Sequence, residues 1–323
     1  MDKTDMFLSV RDLTVEYTSG DDVIYAVNGV SLDLQRGKTL GLVGETGAGK
    51  TTVAKSILRV LPMPPARIKS GEIFLDGEDI LQKKEDHMLD IRGQKISMIF
   101  QDPMTALNPT MTVGDQIAEV VLLHSDATKQ EAREKAMRML KHVGIMEDRY
   151  NNYPYQFSGG MKQRVIIAMA LVFKPELLLA DEPTTALDVT IQAQILEVIR
   201  DYKEKHGTSM ILITHDLGIV AENCDTVAVI YAGQIVELGS REDIFDHPSH
   251  PYTVGLFRSL PSFAAGEARL HPIEGAPPDP RKIPEGCSFY PRCPRATEAC
   301  QSGKIPNAEM SPTHVCRCLN PEV

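Results

Sequence analysis

The nine residues GETGAGKTT, Gly44 to Thr52, restrict what this chain can fold into more than any other stretch. They fit G-x-x-x-x-G-K-[ST], and the flanks supply the context that pattern needs: the apolar run in KTLGLVG reads as a buried strand, and TTVAKSILRVL reads as a helix. A strand that turns into a helix through three glycines directs backbone N–H groups inward, at a helix N-terminus where partial positive charge already collects. Gly44, Glu45, Thr46, Gly47, Ala48 and Gly49 are therefore expected to cradle a polyphosphate. Lys50 adds a full charge at the β- and γ-phosphates, the Thr51 hydroxyl is placed for Mg²⁺, and Thr52 completes the first turn.

A loop of this kind needs a buried parallel sheet behind it, and 323 residues are enough for one large α/β domain with an appendage. The net charge of −10, with no concentrated basic run, argues against a nucleic-acid partner. The longest apolar run, VIIAMALVF, is nine residues ended by Lys174 and Pro175, well short of the roughly 18 needed to span a bilayer. Met1 is followed by Asp and Lys without an apolar segment, so no secretory signal is expected and the chain should stay in the cytosol.

Either side of the glycine loop, the pattern changes in an ordered way. FLSVRDLTVEY and YAVNGVSLDL alternate at period two and predict antiparallel strands beside the nucleotide site. Tyr17, at the end of the first, is a candidate to stack on adenine, with Tyr25 as competitor. RIKSGEIFLDGEDI reads as a hairpin-like pair of short strands, and KISMIF as a strand ending at Gln101 before the irregular DPMTALNPTM. The period then becomes helical, which makes about 102–172 a helical insert. Within YPYQFSGGMKQRVIIAMALVF, Ser158 is a good N-cap, and Gly159 and Gly160 open a second helix N-terminus suited to an anion. PELLLADEP is a continuous apolar strand that delivers Asp181 and Glu182 at its C-terminal end, and SMILITHD does the same for His215. Taken alone, an Asp-Glu pair after a strand is usually a cap and a single histidine usually a surface or core residue.

Taken in order, GETGAGKT, FQDP, FSGGMKQR, LLLADE, TALD and ITHD resemble the nucleotide-binding domain of ABC transporters over roughly residues 6–260. FDHPSHPYTVGL and GCSFYPRCPRATEAC further resemble the ATP-binding subunits of bacterial dipeptide/oligopeptide importers, whose nickel-importing relatives share much of that tail. The resemblance implies an α/β P-loop NTPase domain with an antiparallel β subdomain and helical insert over 1–260, and a Cys/Pro-rich extension over 261–323. It implies an ATP hydrolase that drives import, working with a second ABC ATPase subunit, a paralogue by family likeness. Its other partners would be two transmembrane permease subunits and, through them, an extracytoplasmic solute-binding protein. The chain would then lie peripherally on the cytoplasmic face of the inner membrane. Asp181 would hold Mg²⁺ through water, with Thr51 and Gln101 as further Mg²⁺ contacts, and Glu182 would activate the attacking water. His215 would contact the γ-phosphate, and Gln101 would report nucleotide state to the membrane subunits. Ser158, Gly159 and Gly160 would complete the ATP site of the partner ATPase, and Asp188 would lie in the loop crossing that interface. A soluble ABC ATPase acting on nucleic acid or the ribosome is the different-class reading; such proteins usually carry a long coiled-coil insertion or a second ATPase domain, and neither is evident here.

The last 63 residues hold 11 of the 21 prolines and five of the six cysteines, with little periodicity, so this segment needs an internal crosslink to be ordered. Cys287, Cys293, Cys300 and Cys318 are separated by five, six and seventeen intervening residues, and Cys316 is a fifth thiol. The CxxC knuckle of most structural zinc sites and ferredoxin-type spacing are both missing. The resemblance nevertheless implies a [4Fe-4S] cluster on Cys287, Cys293, Cys300 and Cys318, with Cys316 spare because the family pattern places the last ligand just before a short segment ending in Pro, as in CLNP. Zn²⁺ and uncoordinated thiols are the alternatives. Cys224, alone in AENCDTVAVIY, reads as a small buried hydrophobe.

Overall fold

The computed structural model describes residues 6–185, 187–259 and 272–322. The first third contains β1 (Met6–Ser19), β2 (Asp22–Gln35), β3 (Thr39–Val43), α1 (Lys50–Leu58), β4 (Ala66–Leu75) and β5 (Glu78–Asp79). Next come α2 (Glu85–Ile91), β6 (Ile96–Ile99), α3 (Pro103–Ala106), α4 (Val113–Leu123), α5 (Lys129–His142), α6 (Gly159–Leu171), β7 (Leu177–Asp181), α7 (Val189–His206) and β8 (Ser209–Ile213). The chain finishes with α8 (Leu217–Asn223), β9 (Thr226–Tyr231), β10 (Gln234–Ser240), α9 (Arg241–Asp246), α10 (Pro251–Arg258), β11 (Ala308–Ser311) and β12 (His314–Cys316).

Two compact units emerge. One comprises residues 1–34, 39–81 and 214–323, the other 35–38 and 82–213. In the first, β2, β1, β4 and β5 form an antiparallel sheet whose alternating burial matches the period-two pattern of the sequence. The segment expected to be a hairpin-like pair of short strands forms the hairpin of β4 and β5, with Phe74 opposite Asp79, but unequally: β4 is a ten-residue strand that also pairs with β1, Leu75 opposite Leu8 and Ala66 opposite Tyr17. It passes Gly71 without turning, and an irregularity in register between Arg11 and Val15 absorbs the mismatch. The same unit holds β11, β12, β10, β9 and β3 in that order, with β3 parallel to β9 and the rest antiparallel. All five residues of β3 are buried, as a strand covered on both faces requires. Cys224 is 4% exposed beside Gly41 of that strand, in keeping with its reading as a core residue.

In the second unit β8, β7 and β6 are parallel, with Asp181 opposite Ile213 and Ala180 opposite Ile99. The helical insert is built from α3, α4, α5 and α6. Its helices start where side chains can satisfy orphan N–H groups. Thr112 accepts from Asp115 N–H, and Thr128 and Glu131 form a reciprocal capping box. Ala132, Ala136, Met139 and Leu140 form the buried stripe of α5, as the helical period predicts.

The expected boundary between 260 and 261 falls in residues 260–271, outside the described residues. Most of 272–322 is irregular, as its prolines dictate, but β11 and β12 form a hairpin that continues the sheet from β10. The hairpin is fastened by a buried carboxylate. Glu237 of β10, 1% exposed, accepts from Ser249 N–H (2.6 Å) and His250 N–H (3.0 Å) and pairs with His314 Nε2 of β12 (2.7 Å). Removing this acceptor strands two buried amides and an imidazole, each costing about 1–3 kcal/mol. Glu237→Ala should therefore lower stability by roughly 3 kcal/mol or more, read as a downward shift of the urea unfolding midpoint; an unchanged midpoint would show that water replaces the carboxylate.

Candidate functional site

β3 ends at Val43, and the backbone from Gly44 to Gly49 returns to α1 in a tight loop. Two glycines are dictated by space: a Cβ on Gly44 would lie 2.2 Å from the Ile230 carbonyl oxygen, and one on Gly49 2.4 Å from that of Ala26. Gly49 is the N-cap of α1 and also takes φ +104°, a conformation that L side chains rarely adopt. Having no side chain, it offers the first turn no capping oxygen, and that turn contains no acidic residue. The helix N-terminus is thus left suited to an external anion. Lys50 is 7% exposed, and its Nζ folds back to donate to Gly44 O (2.7 Å) and Glu45 O (2.9 Å). The loop is pinned from outside by Gly233 N–H on Ala48 O (3.0 Å). Thr51 and Thr52 are half-buried in the first turn, and the Tyr17 hydroxyl lies 3.4 Å from Thr52 Oγ1. Tyr25 stands elsewhere, at a cavity of about 500 Å³ bordered by Glu45 to Ala48 and by Pro277 to Pro280, with its N–H on Pro280 O (2.8 Å). In the same unit His215 is exposed, just ahead of the N-cap of α8, Asp216, which accepts from Gly218 and Ile219 N–H.

In the second unit, Asp181 closes β7 and is 2% exposed. Glu182 follows with φ +47°, a strained value for a residue with a Cβ, its N–H bonded to Ile213 O (2.8 Å). That turn brings its half-buried carboxylate to two donors, Gln101 Nε2 and Thr185 Oγ1, both at 2.8 Å from Oε2. Gln101 and Glu182, far apart in sequence, are therefore in direct contact. Thr185 is a site neighbour that reading the sequence missed; the only signal was a hydroxyl three residues beyond the glutamate.

Ser158 caps α6, accepting from Met161 N–H (3.4 Å), and Ser158 and Gly159 are exposed there. A Cβ on Gly160 would lie 2.6 Å from Ile191 Cγ2, so glycine is what permits α6 to approach α7 so closely. Asp188 is the N-cap of α7, its carboxylate accepting from Ile191 N–H (3.0 Å). The Ser158–Gly160 turn and the Asp188 turn are thus neighbours.

Cys287, Cys293, Cys300 and Cys318 line one narrow cavity together with His250, Tyr290, Arg295 and Asn320, whereas Cys316 lies outside it on β12. None of the six cysteines is in a disulfide. Donors converge on the sulfurs: Asn320 N–H on Cys318 Sγ (3.3 Å), Asn320 Nδ2 on Cys300 Sγ (3.8 Å), and Thr297 Oγ1 at 3.4 Å from Cys300 Sγ. Burial raises the Cys287 thiol and pushes Cys293 up to about 11, while a hydrogen bond from Cys316 brings Cys318 down to about 7. His250, 1% exposed, is pushed down to about 4 by burial. Its Nδ1 accepts Tyr252 N–H (3.0 Å), which puts the proton of the neutral ring on Nε2, a buried atom with no partner. Among the described residues no three His, Cys, Asp or Glu side chains gather as they would around one metal ion, and no helix is long and apolar enough to cross a membrane.

Residues 27–185 match the ABC transporter family and residues 236–300 the oligopeptide/dipeptide transporter C-terminal region. The chain is 49% identical over 313 residues to the dipeptide transport ATP-binding protein of Bacillus subtilis, covering 96% of this chain and 93% of that one. It is 45% identical over 321 residues to the oligopeptide transport ATP-binding protein of Escherichia coli, covering 99% and 94%. Among solved structures it resembles a dimeric bacterial ABC transporter cassette, with a TM-score of 0.66 and 27% identity over 72% of this chain and 98% of that one. The same scores hold for a dimeric post-hydrolysis cassette bound to ADP and phosphate. With near-complete coverage at this identity, the chain belongs to the ATP-binding subunits of dipeptide and oligopeptide ABC transporters.

Proposed function

We propose that this chain is the ATP-hydrolysing subunit that energises a dipeptide or oligopeptide importer, and that the contact between Gln101 and Glu182 lies at the centre of its cycle. ATP would be held by the Gly44–Gly49 amides and Lys50, with adenine stacked on Tyr17, the aromatic beside Thr52. Mg²⁺, held by Thr51, Gln101 and Asp181, would neutralise charge on the β- and γ-oxygens. Water attacks the γ-phosphorus, its proton passes to the Glu182 carboxylate, the bond to the β-phosphate oxygen breaks and ADP leaves. His215 contacts the γ-phosphate. The burial of Asp181 and the outward turn of Glu182 support this division of labour between adjacent carboxylates.

Ser158, Gly159 and Gly160 serve the ATP of a second, paralogous ATPase subunit. The exposure of Ser158 and Gly159, and the dimeric state of the cassettes this chain resembles, support that arrangement, with Asp188 in the adjoining loop. Two permease subunits in the membrane dock beside the Gln101 loop, and an extracytoplasmic binding protein delivers peptide to them, so this subunit sits peripherally on the cytoplasmic membrane face. Because Gln101 touches the base itself, a shift of that loop has a direct chemical consequence.

The tail is read as a [4Fe-4S] site with a structural task. Its fit rests on four thiols around one cavity, on N–H donors to two of the sulfurs and on the orphaned Nε2–H of His250, which together suit an anionic sulfur cluster. Arg295, at the cavity, supplies opposite charge.

In the assembled transporter, Glu182→Gln should keep nucleotide binding and lose about 100-fold or more of the hydrolysis rate, whereas Lys50→Ala should weaken ATP binding itself. Near-normal turnover by Glu182→Gln in a phosphate-release assay would remove Glu182 as the base. After anaerobic purification the chain should contain iron and acid-labile sulfide in equal amounts; Cys318→Ser should lose them and Cys316→Ser should retain them. Zinc in place of iron would replace the cluster with a single-ion site.

A further inference from the structure

Glu45 of the phosphate loop is gripped at each of its polar groups. Its N–H donates to the Tyr252 hydroxyl (2.9 Å), its carbonyl accepts from Lys50 Nζ (2.9 Å), and its carboxylate receives two bonds from Arg292, Nη1 on Oε2 (2.9 Å) and Nη2 on Oε1 (3.0 Å). The Arg292 side chain is 5% exposed. Besides Glu45 it reaches Glu274 O (3.0 Å), Ile273 O (3.3 Å) and the Tyr231 hydroxyl (3.2 Å), so that all the N–H donors of the guanidinium are used. This arginine is fixed by its surroundings and transmits that fixity to the loop. It ends the 3₁₀ turn Tyr290–Arg292, which hangs between Cys287, whose carbonyl accepts Tyr290 N–H (3.0 Å), and Cys293.

A carboxylate on a loop built to receive a triphosphate opposes the ligand unless its charge is balanced and its direction fixed. We propose that Arg292 is a positioning residue for nucleotide binding: by clamping and neutralising Glu45 it holds the Gly44–Gly49 loop in its phosphate-receiving shape, and so makes ATP affinity depend on the order of the cysteine-bearing tail. The interaction is bidentate and mostly desolvated, which lysine cannot reproduce. The proposal rests on the reading of Gly44–Lys50 as the ATP site, and its test separates the two.

Equilibrium binding of MgATP to the full chain, purified anaerobically, is measured for wild type, Arg292→Ala, Arg292→Lys, Glu45→Gln and Arg292→Ala/Glu45→Gln, with thermal unfolding recorded alongside. Arg292→Ala should weaken MgATP by about tenfold, and Arg292→Lys by less. Adding Glu45→Gln should recover most of the loss, because the uncompensated negative charge is then gone; a purely architectural arginine would show no such rescue. An affinity for Arg292→Ala within twofold of wild type, or a double variant as weak as the single, overturns the proposal. Should Arg292→Ala fail to fold, the same comparison is made between Arg292→Lys and Arg292→Lys/Glu45→Gln, with the same reading of rescue or its absence. Failure of the wild-type chain itself to bind MgATP would instead overturn the nucleotide-site reading.

Discussion

An ammonium group buried against the carbonyls of its own loop is the constraint from which the first unit is built. Lys50 is nearly sealed from water, and its charge is met by Gly44 O and Glu45 O, both within 3 Å of Nζ. Those carbonyls can turn towards it only if the amides on the other side of the loop turn away, which is what gives an anion its seat. The requirement passes outward from there. Gly44 must lack a side chain because the Ile230 carbonyl is in the way, Gly49 because Ala26 is, and so the strand β9 and the hairpin of β1 and β2 take their places against one short loop.

Much of this was legible because the local physics is short-ranged. The strand–loop–helix of residues 39–58, the cap at Ser158, and the buried strand ahead of Asp181 depend on residues a few positions apart, and each reads directly from spacing and residue type. The contact of Gln101 with Glu182 spans 81 positions, and only family resemblance suggested that both belonged to one site. Where local pattern stopped short, a longer-range contact supplied the rest: RIKSGEIFLDGEDI read as a pair of short strands, and β4 and β5 do pair, but pairing with β1 along nearly the whole of β4 makes the first of them ten residues long.

The tail was the least legible part, for a related reason. With prolines at close intervals and no amphipathic period, nothing in 272–322 announces a strand, and β11 and β12 exist because β10 offers them a sheet edge and Glu237 a buried acceptor for His314. Arg292 gave no signal at all. An arginine between Pro291 and Cys293 looks like a solvated charge until Glu45, 247 positions away, is found in front of it.

Adjacent carboxylates that share a strand end pose a problem that the backbone, not the side chains, resolves. Along an extended strand, successive residues face opposite ways, so a straight continuation of β7 would send Glu182 to the far side of the sheet from Asp181. The φ of +47° at Glu182 breaks the alternation at a cost of about 1–3 kcal/mol. The Glu182 N–H bond to Ile213 O carries the β7–β8 ladder up to the turn, and the Thr185 hydroxyl on its carboxylate offsets part of that cost. Replacing Glu182 by a residue without an acceptor would remove one of these supports while leaving the strain, and that is why glutamine, which keeps an oxygen for Thr185, is the substitution that isolates basicity from fold.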